Sequence, residues 1–186
     1  MSKKIKFFKE ALKNYKTSGT VVPSSRFLAN EILKPVNFKN AKVIVELGPG
    51  NGAITKYILK KLQPSTMLVC FEINDTFYNE LLQINNPQLK VLKASAEDVK
   101  EELNKLGFDQ ADYIISSLPL TILPSNLSEN ILRASYNILK NKGYFMQFQY
   151  SLSYYKKLKK IFGENISLSF EPLNFPPAFV YKCTKK

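Results

Sequence analysis

Val43-Ile44-Val45-Glu46-Leu47-Gly48-Pro49-Gly50-Asn51-Gly52 is the stretch that decides the fold. A short β-branched strand runs into three glycines within five residues, and Ile54, Ile58, Leu59 and Leu62 then recur at helical spacing. Glycine admits a left-handed backbone and lets a ligand approach the main chain closely, so a strand–glycine turn–helix unit reads as a ligand cradle. The spacing is G-x-G-x-G behind an acid. The dinucleotide fingerprint is G-x-G-x-x-G, and a P-loop would continue into Lys-Ser or Lys-Thr; neither is present here.

Outward from the turn, strand and helix alternate. Residues 67–71, 89–92, 113–116 and 143–150 read as further strands, with helices predicted over about 75–84, 97–106, 125–139 and 153–162. Five β-then-α units imply a parallel, doubly wound sheet with helices on both faces. Two last strands, near 165–171 and 177–183, are too close for an intervening helix, so one of them should run antiparallel at that edge. The expectation is an α/β, mostly parallel, seven-stranded sheet. Ligands of such sheets bind at the carboxyl ends of the strands. Glu72, just after the second strand, is placed there to accept hydrogen bonds from ribose hydroxyls.

Upstream, Ile5, Phe8, Leu12 and Tyr15 recur at helical spacing among Lys4, Lys6, Lys9, Lys13 and Lys16, which predicts an amphipathic helix over 3–16. Ser18 to Pro23 breaks it, and Ser24 or Ser25 caps a second helix through Leu33. The chain divides into a helical extension, 1–40, and an α/β domain, 41–186.

The chain has 186 residues with 27 Lys and Arg against 15 Asp and Glu, a net charge of +12. Residues 1–40 carry nine basic and two acidic residues, 41–150 eleven of each, and 151–186 seven and two. A neutral middle between basic ends points to a polyanionic partner met at the ends: an anionic membrane or a nucleic acid. Without histidine, a Ser-His-Asp triad, a His base and a His-ligated metal are excluded. Cys70 and Cys183 stand apart in hydrophobic runs, so neither a zinc site nor a disulfide framework is expected, and no metal is called. No apolar run reaches the roughly 18 residues of a membrane span, and Lys6 and Lys9 interrupt any signal peptide. A cytoplasmic protein, soluble or peripherally membrane-associated, is expected.

The Glu46–Gly52 stretch and Glu72 resemble the class I S-adenosylmethionine-dependent methyltransferases, with a Rossmann-like fold, and the resemblance covers nearly the whole chain. It implies that S-adenosyl-L-methionine is the cofactor, with Glu46, Gly48, Gly50 and Gly52 around its methionine part and Glu72 on its ribose. Ile73, Ser95, Ala96 and Ser116 at the neighbouring strand ends complete the implied set. Where that family often shows G-D-A, this chain has Ala94-Ser95-Ala96, so the charge for the adenine contact is missing; Glu97 or Asp98 stands close by.

Two subfamilies compete. The ribosomal RNA adenine N6-dimethyltransferases carry an N-L-P-Y-like motif after strand four, whose aromatic stacks on a flipped base. This chain reads Ser116-Ser117-Leu118-Pro119-Leu120, with no ring. The bacterial phospholipid N-methyltransferases are similar here in four places: Pro23-Ser24-Ser25-Arg26-Phe27-Leu28-Ala29, Ser116 to Leu120, Gln147-Phe148-Gln149-Tyr150 and Asn174-Phe175-Pro176-Pro177-Ala178. That resemblance implies methylation of phosphatidylethanolamine toward phosphatidylcholine. RNA methylation, another small-molecule methyl transfer and a binding-only role stay as alternatives. Arg26, Tyr15, Leu118, Pro119 and Tyr150 are the candidate substrate contacts. Tyr150 and Ser117 are the candidates for a catalytic role, with no general base assigned.

Overall fold

The structure is a computed structural model that describes residues 24–186. The helix expected over 3–16, and Tyr15 with it, lie outside the described residues. The chain runs α1 (Arg26–Leu33), β1 (Val43–Leu47), α2 (Thr55–Leu59), β2 (Met67–Phe71), α3 (Asp75–Leu82), β3 (Leu89–Leu92), α4 (Val99–Lys105), β4 (Ala111–Ser116), α5 (Ser125–Ile138), β5 (Leu139–Gln149), α6 (Tyr155–Phe162), β6 (Ile166–Glu171) and β7 (Ala178–Thr184).

The seven strands form one sheet in the order β3-β2-β1-β4-β5-β7-β6. β1 to β5 are mutually parallel, and β7 runs antiparallel to both β5 and β6. The expected single reversed strand at one edge is therefore β7. The order reverses at β1, so the connections leaving β1 and β4 diverge and open a crevice at their carboxyl ends.

The central parallel strands are buried on both faces, which is why they read as largely apolar runs: all five residues of β1 and all six of β4 are buried. Val45, Leu47, Ile114 and Phe145 face one core, with Leu103, Ile131 and Leu158 of α4, α5 and α6. Ile44, Leu68, Ile115 and Met146 face the other, with Ile58 of α2 and Leu28, Ala29, Ile32 and Leu33 of α1. Residues 26–33 of the 1–40 segment are thus packed into a core of the sheet. Ser25 caps α1 as expected, its hydroxyl accepting the Leu28 N–H at 3.2 Å. Among the described residues no helix is long and apolar enough to cross a membrane.

β5 starts earlier than the sequence reading placed it, at Leu139 rather than Gly143. Leu139 pairs with Ala111, the register then shifts, and Tyr144 pairs with Tyr113. The polar run 140–142 is the irregular passage between these pairs. It closes on Gly143, where a Cβ would lie 2.8 Å from the Asp112 carbonyl oxygen and 2.9 Å from that of Lys140.

Asp112 ties this amino-terminal edge together. Its Oδ2 accepts the N–H of Lys42 at 2.7 Å and of Val43 at 2.9 Å, and Oδ1 takes the Lys140 ammonium. Burial disfavours the charge, but Lys140 and the two N–H groups outweigh it and hold the carboxyl below its ordinary 3.8. Asp112→Ala leaves the Val43 N–H buried without an acceptor, and it should lower stability to urea at pH 7 by about 1–3 kcal/mol. Because the native carboxyl is depressed, the wild-type advantage is present above pH 3.8 and shrinks as pH falls through the native value. Urea titrations of both proteins across that range measure it.

Candidate active site

The turn after β1 is held by β2 and by the residue that follows it. Gly48, Gly50 and Gly52 sit at φ 68°, 58° and 77°, the left-handed region that side chains rarely adopt. The Gly48 N–H donates to the Phe71 carbonyl at 3.0 Å, and the Gly52 N–H closes the turn on the Pro49 carbonyl at 3.0 Å. A Cβ on Gly50 would meet nothing within 4 Å, so the turn presents bare backbone to open space there, while a Cβ on Gly48 would lie 2.5 Å from Leu118 and one on Gly52 3.1 Å from Leu81.

Glu72 joins this turn to the next. Its Oε2 accepts the Gly50 N–H at 3.1 Å and its Oε1 the Asn74 N–H at 2.7 Å. Asn74 in turn caps α3, its Oδ1 accepting from Thr76 and Phe77 at 3.0 and 3.2 Å. Ile73 between them is buried.

Glu46 lies beneath the turn and is fully buried. Its Oε2 accepts the Thr55 hydroxyl at 2.6 Å and the Cys70 thiol at 3.5 Å. Its Oε1 has no hydrogen-bond partner among the described residues. Burial pushes its carboxyl up to about 7, with the Thr55 and Cys70 hydrogen bonds opposing.

The remaining strand ends converge on the same crevice. Ser95, after β3, is fully buried, and its hydroxyl accepts the Glu97 N–H at 3.3 Å; Ala96 beside it is buried. Ser116 ends β4 opposite Leu47 and Gln147, and its hydroxyl accepts the Leu118 N–H at 3.4 Å. The Ser117 N–H donates to the Leu47 carbonyl at 2.9 Å. Leu118 and Leu120 are buried in the core, while Ser117 and Pro119 are half-buried. Gln147 staples this loop, donating from Nε2 to the Leu118 carbonyl at 3.0 Å and to that of Phe148 at 2.7 Å. Tyr150, just past β5, is 42% exposed and stands edge-on to Phe148. Arg26 is exposed at the start of α1, with its guanidinium over the Phe27 ring.

Sequence reasoning passed over four residues that shape the site. Thr55 holds Glu46, Asn74 shares Glu72, Gln147 fixes the loop after β4, and Asn174 accepts the Ser25 N–H at 3.0 Å beside Arg26. The last two stand inside quoted motifs, so their signal was present without its meaning.

Residues 17–152 match the ribosomal RNA adenine dimethylase family. The chain belongs to that family of class I S-adenosylmethionine-dependent methyltransferases. It is 30% identical to an ornithine lipid N-methyltransferase of Singulisphaera acidiphila over 180 residues, 96% of this chain and 92% of that one. It is 31% identical to the ribosomal RNA small subunit methyltransferase A of Borreliella burgdorferi over 66% of this chain, but only 44% of that one. In fold it is similar to a precorrin-6y C5,15-methyltransferase of Geobacter metallireducens, with a TM-score of 0.70, 13% identity, and 90% and 93% of the two chains covered.

The methyltransferase uses S-adenosylmethionine, and its crevice fits such a group. The glycine turn is open at Gly50, beside the Glu72 carboxylate, and Glu46 beneath carries a buried oxygen without a partner among the described residues. Glu46 also sets a pH dependence. With 7 in the native state against 4.5 unfolded, the folded chain holds an extra proton between these values, so stability falls as pH rises through that window. Glu46→Gln should therefore be more stable than wild type at pH 8, by about 1–3 kcal/mol, with the gain vanishing toward pH 4.5. Thermal unfolding at pH 4.5, 6 and 8 reads this; a gain that does not change with pH refutes it.

Proposed function

We propose that this methyltransferase acts on the amine of a membrane-lipid headgroup, phosphatidylethanolamine on the way to phosphatidylcholine, peripherally at an anionic cytoplasmic membrane surface. The observation that carries the reading is the near-full-length likeness to a lipid N-methyltransferase, against partial coverage of the RNA-modifying relatives. The loop after β4 agrees with it. Leu120, where the RNA-type motif has its stacking ring, is fully buried in the core, and a flipped base loses about 1–3 kcal/mol without such a platform.

In this reading the Gly48–Gly52 turn, Glu72, Ile73, Ser95, Ala96 and Ser116 hold the cofactor, whose sulfonium-bound methyl is the activated group. Glu46 is a positioning residue that holds the turn through Thr55. The chain's task is alignment: a neutral amine must approach the methyl in line, and fixed geometry supplies most of the acceleration. Ser117, Leu118 and Pro119 shape the amine pocket. The Tyr150 ring faces the positive charge that develops on nitrogen, and Tyr150 Oη or Ser117 Oγ passes the released proton to water. Arg26 offers its fork to the lipid phosphate. Residues 3–16, with a net +5 and an apolar stripe that includes Tyr15, add attraction to anionic headgroups.

Labelled S-adenosylmethionine should transfer its methyl to phosphatidylethanolamine vesicles containing phosphatidylglycerol, with ornithine lipid and ribosomal RNA run alongside. Label in RNA and in no lipid reverses the assignment. Tyr150→Ala should lower kcat about 3- to 30-fold, the range of a partly desolvated cation–π contact. Tyr150→Phe keeps the ring and should retain most of the rate if the charge, not the proton, is the larger effect. Reversing Lys6, Lys9 and Lys13 to Glu in the full chain should weaken sedimentation with anionic vesicles, and unchanged sedimentation removes the segment from the docking surface.

A further inference from the structure

The exposed apolar side chains are not spread over the molecule. Eight large ones are exposed among the described residues, and six of them stand at or beside the carboxyl edge of the sheet. They come from three separate connections. Ile122 follows β4, Tyr150 and Leu152 follow β5, and Phe170, Leu173 and Phe175 belong to the β6–β7 hairpin. The hairpin tip lies at this edge because Gln149, the last residue of β5, pairs with Phe179, and Glu171 pairs with Ala178. Leu173 is 63% exposed and Phe175 79%, the largest values of the set.

Such a set of side chains carries the ordinary cost of leaving large apolar groups in water, and clustered exposure marks a docking surface. Its form narrows the partner. Apart from Phe170, which lies in β6 against Phe179, the side chains stand on the connections beyond the strand ends, rather than lining one helix face. Cations accompany them: Arg26 at the start of α1, and Lys156 and Lys157 at the start of α6, with the Lys157 ammonium 3.3 Å from the Ser125 hydroxyl above β4. The hairpin's acid, Glu171, is half-buried and engaged within the turn, its Oε1 accepting the Leu173 N–H at 2.8 Å. Apolar tips ringed by cations complement a bilayer, with acyl chains below and anionic headgroups above.

We propose that the hairpin tip, Leu173 and Phe175, inserts into the headgroup–acyl boundary of an anionic bilayer and seats the mouth of the crevice on the membrane. The inference deepens the lipid reading above and rests on it for its purpose. The inserting residues are other than those of the basic segment 3–16. Asn174 fixes the depth. It donates to the Pro176 carbonyl at 2.7 Å and accepts from Ser25, so the tip and the first turn of α1 are one unit. With the tip at the acyl boundary, Arg26 is held near the level of the phosphates.

The chain contains no Trp, so Phe175→Trp in the full chain carries a single reporter. On phosphatidylethanolamine–phosphatidylglycerol vesicles its emission should shift to the blue and be quenched by lipids brominated on the acyl chain. Emission that stays water-like while the protein sediments with the vesicles overturns the proposal, as does a blue shift on a ribosomal RNA fragment but not on vesicles. The double variant Leu173→Ser, Phe175→Ser removes only exposed side chains and should raise the vesicle dissociation constant about 10-fold or more. Its methyl transfer to a short-chain phosphatidylethanolamine below the micelle concentration should stay within about twofold of wild type, since partition, not chemistry, is lost. Unchanged vesicle affinity overturns the proposal. Insertion without methylation of any lipid leaves this surface standing and removes the acceptor assignment; methylation of vesicle lipid with a water-like reporter does the reverse.

Discussion

Glu72 is the joint on which the site depends. β1 and β2 are parallel neighbours in register, Leu47 beside Phe71, so their outgoing turns leave the sheet side by side. Each turn has backbone N–H groups that the strand ladder no longer satisfies. One carboxylate takes Gly50 from the first and Asn74 from the second, and the Phe71 carbonyl takes Gly48. The left-handed glycine turn is therefore held from the side by β2, and its shape follows from the register of two strands. That register rests on the two apolar cores, since a slip of one residue would send each buried side chain to the opposite face.

The two edges of the sheet treat buried polarity differently. At the amino-terminal edge Asp112 is met by two N–H groups and an ammonium. At the carboxyl edge, Glu46 Oε1, Gln147 Oε1 and Gln149 Nε2 are buried without a partner among the described residues, and Ser135 Oγ in α5 is a further case away from that edge. An unmet buried polar group costs about 1–3 kcal/mol. Such groups gather where a protein keeps capacity for a ligand rather than where it needs rigidity. The contrast locates the working edge independently of the glycine motif.

Much of this was legible in the sequence for a physical reason. Strands buried on both faces must be continuous apolar runs, and a left-handed turn favours glycine, so β1, β2, β4, the Gly48–Gly52 turn and the acid after β2 all leave local marks. What escaped is what depends on distant partners. The early start of β5 is decided by the pairing of Leu139 with Ala111, which the polar run 140–142 conceals. Leu120 occupies the ring position of one subfamily's motif, but nothing local says that its side chain turns into the core. Gln147 acts on a carbonyl 29 residues away, and Asn174 on an N–H 149 residues away. Both were visible as letters in a motif, and neither role is encoded by spacing.

The Ser25–Asn174 hydrogen bond also changes how the charge of the chain is read. As a sum, +12 describes only attraction to some polyanion. Long-range attraction draws a protein to a surface and does not orient it. Orientation needs short-range contacts fixed relative to the site. Arg26 is joined through Ser25 to the loop that carries Leu173 and Phe175, and that loop joins β6 to β7, which pairs with β5 just before Tyr150. A headgroup phosphate, its amine and its acyl chains span distinct depths in a bilayer. On the proposed reading, one rigid unit of this chain presents a guanidinium, an aromatic ring and an apolar tip along that same axis. The diffuse charge then brings the enzyme to the membrane, and the hairpin decides which way it faces.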